Sequence, residues 1–314
     1  MKGLAIFYKP KRISSYDLIR KVKKLLNQEK IGHGGSLDPL AEGVLILGLQ
    51  KEGTKQLTKI LKGTEKEYLA EIALGAVSDT YDAQGIITSN QMGQELIKKW
   101  PSRNKLNEVL KSFLSDYLQT PPKFSAVKLK GVPAYRLARQ GKEVNLGPRK
   151  VKIKEIELLS YETDKNKAFL KLRLVVNSGF YVRSFANDLG NKLETGAYLK
   201  ELCRTRVGQF TINEAITIND LSSNFLELYF KAQGRVQKVF FRDTARRWAR
   251  KLKLNGEAKN LPNGQEIEII AQGRNTNLDI FLEKIKKGPM LAQVNSYFYY
   301  YRKPQIRFNK FKIY

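Results

Sequence analysis

The feature that most restricts the fold is a set of long segments in which apolar and polar residues alternate, with helical patterns between them. In residues 66–74, KEYLAEIAL, the alternation places Tyr68 on the same face of a strand as three smaller apolar residues. Two later segments, 151–159 and 168–176, alternate in the same way, and no βαβ unit repeats along the chain. The sequence therefore predicts an α+β fold with a mixed, mostly antiparallel sheet flanked by helices.

The charge of the chain restricts its partners. The 314 residues include 57 Lys and Arg but only 30 Asp and Glu, which gives a formal net charge of +27. An excess of this size indicates a polyanionic partner, and nucleic acid is the most common one for a protein of this length. An anionic membrane is the alternative, but no run approaches the roughly 18 apolar residues that cross a bilayer. We therefore expect a cytoplasmic protein that binds nucleic acid and no membrane.

The basic residues become denser from about residue 231. Residues 231–314 contain 19 Lys and Arg and 6 Asp and Glu, and aromatic residues alternate with cations over 295–314. This combination suits base stacking and phosphate contacts, although ordinary surface lysines on a small β-rich domain are the alternative. We expect two domains, a larger one over 1–230 and a small, basic, β-rich one over 231–314. A serine at position 14 followed by Asp17 also predicts a capped helix start.

The glycine-rich loop at residues 31–40, IGHGGSLDPL, is the densest candidate for chemistry. It is not a P-loop, because no GK[ST] follows its glycines. The proline at 39 disfavours helical backbone at Asp38 and holds that carboxylate in an extended segment. His33 is the only histidine, which excludes mechanisms that need two, and the single cysteine, Cys203, excludes an intrachain disulfide. Taken alone, an Asp-Pro pair is more often a turn than a catalytic residue.

The segment 32–45, GHGGSLDPLAEGVL, resembles the catalytic motif of bacterial tRNA pseudouridine-55 synthases, the TruB family. The other blocks of that family are resembled in the same order by GLAIFYKPKRISSYD, KEYLAEIALGAVSDTYDAQG, PPKFSAVKLKGVPAYRLARQG and SGFYVRSFANDLG with TGAYLKELCRTRVGQF. The resemblance implies a pseudouridine synthase domain over 1–230, with an RNA-clasping insertion at about 119–150. Members often end in a small RNA-binding PUA domain, so residues 231–314 are expected to be a divergent PUA-like module or a different basic one.

The resemblance also implies roles for individual residues. Asp38 is the expected catalytic carboxylate, and Arg183 is expected to pair with it and keep it ionised. Tyr68 is expected to stack on the target base and to take part in proton transfer. The expected substrate-binding residues are His33, Tyr68, Tyr181 and Leu202. Judged singly, Tyr68 is an ordinary core residue and Arg183 a surface cation, so these roles depend on the joint pattern.

The implied reaction converts a uridine of tRNA, expected to be uridine 55 in the T stem-loop, to pseudouridine. The base must leave its stack to be reached. The reaction requires no metal or cofactor, and we expect a monomer that needs no guide RNA and no partner protein. Whether Asp38 acts as nucleophile or base stays open.

Two alternatives remain at this point. The first is a catalytically silent RNA-binding protein or tRNA-folding chaperone on the same fold. The second is the related enzyme of archaeal and eukaryotic guide-RNA particles. Its catalytic loop differs after Asp-Pro, whereas the Leu-Ala-x-Gly-Val-Leu sequence here favours the stand-alone bacterial enzyme.

Overall fold

The computed structural model describes residues 1–61, 63–89, 100–114, 117–164 and 167–314. The chain forms two compact units. The first consists of Met1–Pro39, Gly43–Lys62 and Phe210–Tyr314, and the second of Leu40–Glu42 and Gly63–Gln209. The sequence predicts a domain boundary at about residue 231. The two compact units do not test that boundary, so it stays a prediction.

The first unit is built on a sheet covered by helices. Its strands are β1 (Gly3–Lys9), β2 (Ile31–Gly34), β3 (Glu42–Leu49), β14 (Phe210–Thr211), β15 (Phe225–Arg235), β16 (Asn255–Asn260), β17 (Glu266–Arg274), β18 (Gln293–Arg302) and β19 (Phe311–Ile313). Its helices are α1 (Ser15–Leu26), α2 (Gln50–Leu61), α6 (Ile218–Ser223), α7 (Phe241–Lys251) and α8 (Asn275–Lys287), with a short 3₁₀ turn at Ile212–Glu214.

The strand order of this sheet joins the two ends of the chain. Strand β1 lies between β3, to which it is antiparallel, and β18, to which it is parallel. The order then continues through β15, β17, β16 and β19, with antiparallel pairs except for the last. One apolar core runs under the whole sheet and includes Phe7, Phe230 and Phe281. The N-terminal strand and the C-terminal segment are therefore stabilised by shared burial.

Helix α1 begins as the sequence predicts. The side chain of Ser14 accepts a hydrogen bond from the backbone N–H of Asp17 at 3.1 Å, and the backbone N–H of Ser14 donates to the Asp17 carboxylate at 2.9 Å. This reciprocal capping box satisfies two N–H groups that the helix leaves free. Leu18, Ile19 and Val22 are buried beneath the helix, while its cations lie on the opposite side.

The second unit contains a four-stranded antiparallel sheet in the order β11, β12, β4, β13. Its strands are β4 (Lys66–Leu74), β5 (Ala76–Ser78), β6 (Ile87–Ser89), β7 (Tyr117–Gln119), β8 (Lys128–Leu129), β9 (Val132–Pro133), β10 (Arg149–Val151), β11 (Ile153–Thr163), β12 (Ala168–Val176) and β13 (Ala197–Val207). Its helices are α3 (Arg103–Lys111), α4 (Ala134–Arg139) and α5 (Val182–Lys192). The predicted α+β fold with a mostly antiparallel sheet is confirmed.

The two ends of the predicted insertion, at about residues 119 and 150, lie side by side in the second unit. Strand β7 pairs with β10, and Gln119 lies directly opposite Arg149. Between them, α4 and the hairpin of β8 and β9 surround a small apolar cluster of Val127, Ala134, Val144 and Leu146. The excursion at 119–150 is thus closed at its base and carries its own small core.

Candidate active site

The backbone on both sides of Asp38 is fixed by the start of α1. The backbone N–H of Leu37 donates to the hydroxyl of Ser15 at 2.8 Å, and that hydroxyl donates to the carbonyl of Leu37 at 3.0 Å. The carbonyl of Pro39 accepts from the backbone N–H of Arg12 at 2.8 Å. Ser15 is buried, so these bonds are shielded from water. The half-buried carboxylate of Asp38 is therefore held by a loop with little freedom, which suits a catalytic group.

The glycines of this loop serve packing more than ligand approach. A Cβ on Gly34 would overlap the side chain of Leu61, and one on Gly32 would meet Thr54 at 3.0 Å, so both glycines let β2 lie close to α2. Gly35, with a φ of +69°, adopts the left-handed backbone that glycine accepts without strain. His33 lies on β2 opposite Leu47 and is half-buried.

In the second unit, Tyr68 lies on a face of the sheet that also carries two cations. Its direct neighbours across the sheet are Leu174 on β12 and Arg204 on β13, and Leu202 lies on the same face opposite Ala70. Tyr68 is 6% exposed, Leu202 7% and Arg204 1%. Tyr68 and Leu202 therefore lie on one face of the sheet, beside the buried guanidinium of Arg204, which the sequence patterns did not predict.

Lys66 shares the face of Tyr68, because it lies two residues earlier on β4. Burial, together with the positive charge of Arg204, lowers the pKa of Lys66 to about 8. Burial and a neighbouring cation make the charged form of this lysine unfavourable, and a bound anion would stabilise that charged form. The face around Tyr68 thus combines an aromatic ring with cations that favour a negatively charged ligand, as an RNA backbone would be.

Arg183 lies in the first turn of α5, which packs against β13 and β4. Its guanidinium is 3.6 Å from the carboxylate of Asp82 and donates to the carbonyl of Phe124 at 2.9 Å. Asp82 is held in turn by the hydroxyl of Thr80 at 2.8 Å and the backbone N–H of Gln84 at 3.0 Å. Both members of the ion pair are buried.

The patterns in the sequence did not predict Asp82 as the partner of Arg183. It belongs to the run SDTYDAQG, which resembles part of a family block but predicts no individual role for Asp82. The signal that could have found it is the density of hydroxyl and acidic side chains in that run, which is typical of a self-bonded turn. The predicted pairing of Arg183 with Asp38 stays a prediction.

The start of α5 is also tied to the base of the 119–150 excursion. The side-chain amide of Gln119 donates to the carbonyl of Tyr181 at 3.0 Å and accepts from its backbone N–H at 2.8 Å. The hydroxyl of Ser184 donates to the carbonyl of Thr120 at 2.7 Å. The ring of Tyr181 packs on the apolar cluster of the excursion. Movement of the excursion would therefore be transmitted to the residues that flank Arg183.

Of the six predicted site residues, four lie in the second unit and two in the first. Tyr68 and Leu202 come from one sheet face, and Tyr181 and Arg183 from the start of α5, which contacts β13 and β4. His33 and Asp38 belong to the loop of the first unit. Within the described ranges, no group of three or more His, Cys, Asp or Glu side chains could hold a metal ion. Nor does any helix in that part of the chain have the length and apolar character needed to cross a membrane.

Comparison with known families divides the chain into three matched segments. Residues 23–182 match the N-terminal domain of TruB family pseudouridylate synthase, and residues 183–238 match the tRNA pseudouridylate synthase B C-terminal domain. Residues 228–313 match a different family, acylphosphatase. The C-terminal part of the fold is therefore acylphosphatase-like, a possibility that the sequence analysis left open as a different basic module.

Individual relatives agree with the first two segments. The chain is 42% identical over 221 residues to tRNA pseudouridine synthase B of Ureaplasma parvum, which covers 70% of this chain and 93% of that relative. It is 39% identical over 224 residues to the protein of the same name from Aquifex aeolicus, covering 71% and 75%. A solved Cbf5-Nop10-Gar1 complex contains a chain that is 30% identical, with a TM-score of 0.53 over 71% of this chain and 54% of that one.

Proposed function

Since the chain belongs to the TruB family of pseudouridylate synthases, we propose that it converts uridine 55 in the T stem-loop of tRNA to pseudouridine. The observation that carries the proposal is the buried face on which Tyr68 and Leu202 lie beside Lys66 and Arg204. An aromatic ring offers a flat surface to a flipped base, and the cations suit its phosphate.

The chemistry requires positioning rather than a cofactor. The N1–C1′ bond of the uridine breaks, the detached base turns, and a new bond joins C5 to C1′. The hydrogen on C5 leaves as a proton, and N1 gains one, so the atoms balance without any oxidant or metal. Asp38 is the proposed carboxylate, acting either as a nucleophile or as a base towards the sugar. The fixed backbone at Leu37 and Pro39 supports this role, because it limits the freedom of the carboxylate.

The other proposed roles follow the family resemblance. Tyr68 holds the detached base by stacking and supplies a hydroxyl for proton transfer. Arg183 contributes positive charge that favours ionised carboxylates, and Leu202, Tyr181 and His33 contact the RNA. The excursion at 119–150 is the proposed clasp, since its base is bonded to the start of α5.

We further propose that the chain acts as a monomer in the cytoplasm on tRNA alone. The TruB relatives are named as tRNA enzymes, whereas the Cbf5-Nop10-Gar1 structure is an assembly of several proteins. The Leu-Ala-x-Gly-Val-Leu sequence after Asp-Pro favours the bacterial enzyme that acts without partner proteins. The competing reading, an RNA-binding protein without catalysis, differs in one measurable property, which is turnover.

A direct test uses an unmodified tRNA transcript with tritium at C5 of uridine. Without guide RNA or added protein, we expect release of one tritium per tRNA and a single pseudouridine at position 55. A transcript with cytidine at 55 should release none, and an isolated T stem-loop should still react. Binding without release would instead identify the silent RNA-binding protein, and release only on addition of guide RNA would identify the particle-type enzyme.

A second candidate function concerns residues 228–313, because of their match to acylphosphatase. The observation that favours it is a pocket of about 300 Å³ whose lining includes Lys238, Arg242 and Asn260. Hydrolysis of an acyl phosphate adds water across the bond between phosphorus and the acyl oxygen. It releases a carboxylate, phosphate and a proton. The two cations suit the phosphate group of such a substrate.

Acetyl phosphate is the simplest probe of the second function. We expect the full chain to release phosphate from it faster than the Asn260→Ala variant does. Equal rates in the two proteins, at the level of spontaneous hydrolysis, would eliminate this function and leave the pseudouridine synthase proposal intact.

A further inference from the structure

The pocket within residues 228–313 has an exposed aromatic side chain at its edge, for which a small acyl phosphate has no use. Lys238, Phe240 and Arg242 line the pocket from the connection between β15 and α7, and Asn260 lines it from the end of β16. The ring of Phe240 is 70% exposed, although it is the largest apolar side chain of this connection. An exposed aromatic ring beside a cationic pocket is the arrangement on which bases stack in nucleic-acid-binding proteins.

The polar groups of the pocket suit a phosphate. Arg242 is half-buried and donates to the backbone oxygen of Tyr314, a bond that orients the guanidinium and, among the residues that the structure describes, uses one of its five N–H groups. Lys238 is exposed at the rim. Asp243 also lines the pocket, but its carboxylate is paired with Arg246 at 2.7 Å. The pocket is therefore left with net positive charge.

Two further observations point to a ligand. The side-chain oxygen of Asn260 is buried and has no hydrogen-bond partner among the residues that the structure describes. A buried acceptor in this condition lowers stability unless a donor reaches it, and a protonated phosphate, or a water bound to a phosphate, is such a donor. At the first turn of α7, no side chain from the described residues caps the helix, so its N–H groups are available to an anion.

The backbone of this edge is strained. Lys238 has a φ of +58° and Phe240 a φ of +61°, which is a left-handed conformation that side chains of this size rarely adopt. Glycine or asparagine would be accommodated there more easily. Strain of this kind persists where the surrounding structure requires it, and it concentrates at ligand sites. Here it directs a cation and an aromatic ring to the same rim.

We propose that this pocket binds the phosphate group of a nucleotide, with Lys238 and Arg242 on the phosphate and Phe240 stacked on the base. The inference rests on the second proposed function only in that both require a phosphate group in the pocket. The shared chemistry, a phosphomonoester attached to a nucleoside, is found both in free nucleotides and at the 5′ end of an RNA. The net charge of +27 of the chain favours both sources.

The test measures affinities of the full chain by calorimetry, using inorganic phosphate, adenosine, AMP and RNA oligonucleotides with or without a 5′ phosphate. Stacking on an aromatic ring is worth about 1–3 kcal/mol, so we expect AMP to bind roughly 5–150-fold tighter than inorganic phosphate. Phe240→Asn keeps a residue that tolerates left-handed backbone but lacks the ring, and it should reduce this ratio to about one. Phe240→Tyr is the matched control and should preserve the ratio.

The outcomes separate the two proposals. If inorganic phosphate does not bind, both the nucleotide site and the acyl phosphate function fail. If phosphate and AMP bind equally, or if the ratio survives in Phe240→Asn, the nucleotide site fails while the acyl phosphate function stands. An RNA preference for a 5′ phosphate that disappears in Phe240→Asn identifies an RNA end as the source. The same loss seen with AMP alone identifies a free nucleotide.

Discussion

The face around Tyr68 and the pocket around Phe240 both combine aromatic rings with cations, but they are built in opposite ways. In the unit that contains Tyr68, the ion pair of Arg183 and Asp82 is buried and held by several partners, as in the bond of Arg183 to the carbonyl of Phe124. Around Phe240, the ring and Lys238 are exposed, and the backbone carries the strain. A preorganised buried site loses stability together with function when one group is removed. An exposed site should lose mainly its ligand.

The largest effect that this comparison predicts is the loss of stability in Arg183→Ala. It leaves the buried carboxylate of Asp82 without its cation, which costs roughly 3–5 kcal/mol. Urea unfolding should show this loss. The double variant with Asp82→Asn should recover part of it, because the stranded charge is then absent. A destabilisation below about 1 kcal/mol, as for an exposed arginine, would place Arg183 outside the buried group.

Lys66 should make stability depend on alkaline pH. Its folded pKa of about 8 lies below the ordinary lysine value of 10.5, so between these values the unfolded chain binds more protons than the folded one. Stability from this residue should therefore rise with pH across that window, by up to about 3 kcal/mol. Unfolding free energies of the wild type and Lys66→Met, measured from pH 7.5 to 10.5, isolate this contribution. Parallel curves would contradict it.

The contribution of Tyr68 to catalysis should consist of two separable parts, the stacking of its ring and the chemistry of its hydroxyl. Tyr68→Leu removes the ring, which is worth about 1–3 kcal/mol to a bound base, so single-turnover tritium release should fall roughly 5–150-fold or more. Tyr68→Phe keeps the ring and reports the hydroxyl alone. If both variants react at the wild-type rate, Tyr68 is only a core residue.

The smallest predicted effect concerns Ser15, which fixes Leu37 beside Asp38. Ser15→Ala removes the two hydrogen bonds that fix the backbone of Leu37, so the neighbouring carboxylate gains freedom and turnover should fall by about two- to fivefold while tRNA affinity is kept. Ser14→Ala is the matched control, since it removes only the helix cap. Equal effects of the two variants on turnover would show that Ser15 acts through helix stability alone.

Local features of the fold could be predicted from the sequence, and long-range ones could not. The alternation at 66–74 and the cap at Ser14 depend on neighbouring residues, and both are confirmed in β4 and α1. The ion pair of Arg183 with Asp82, and the face shared by Tyr68 and Arg204, depend on strand register and chain return. The pattern of neighbouring residues therefore does not predict either of these contacts.

The C-terminal segment shows the same limit. Its charge predicted an anionic partner, but its order of elements, with α7 and α8 each between strands, was not anticipated. The sequence of residues 236–242 predicts no more than an exposed loop with two cations. Sequence patterns do not predict the left-handed backbone of Lys238 and Phe240, which shapes the edge of the pocket. Asn260 is likewise unremarkable until its buried oxygen is found without a partner in the described structure.

The most direct test of the central claim compares the wild type with Asp38→Asn in tritium release from C5-labelled tRNA, under conditions in which all tRNA is bound. The variant keeps the size of the side chain and the phosphate contacts, so tRNA affinity should remain within a few-fold of the wild type. Turnover should fall by at least about 10²–10⁴-fold, the range of a lost general base, or become undetectable. Clear turnover by Asp38→Asn at a rate near that of the wild type would contradict the account.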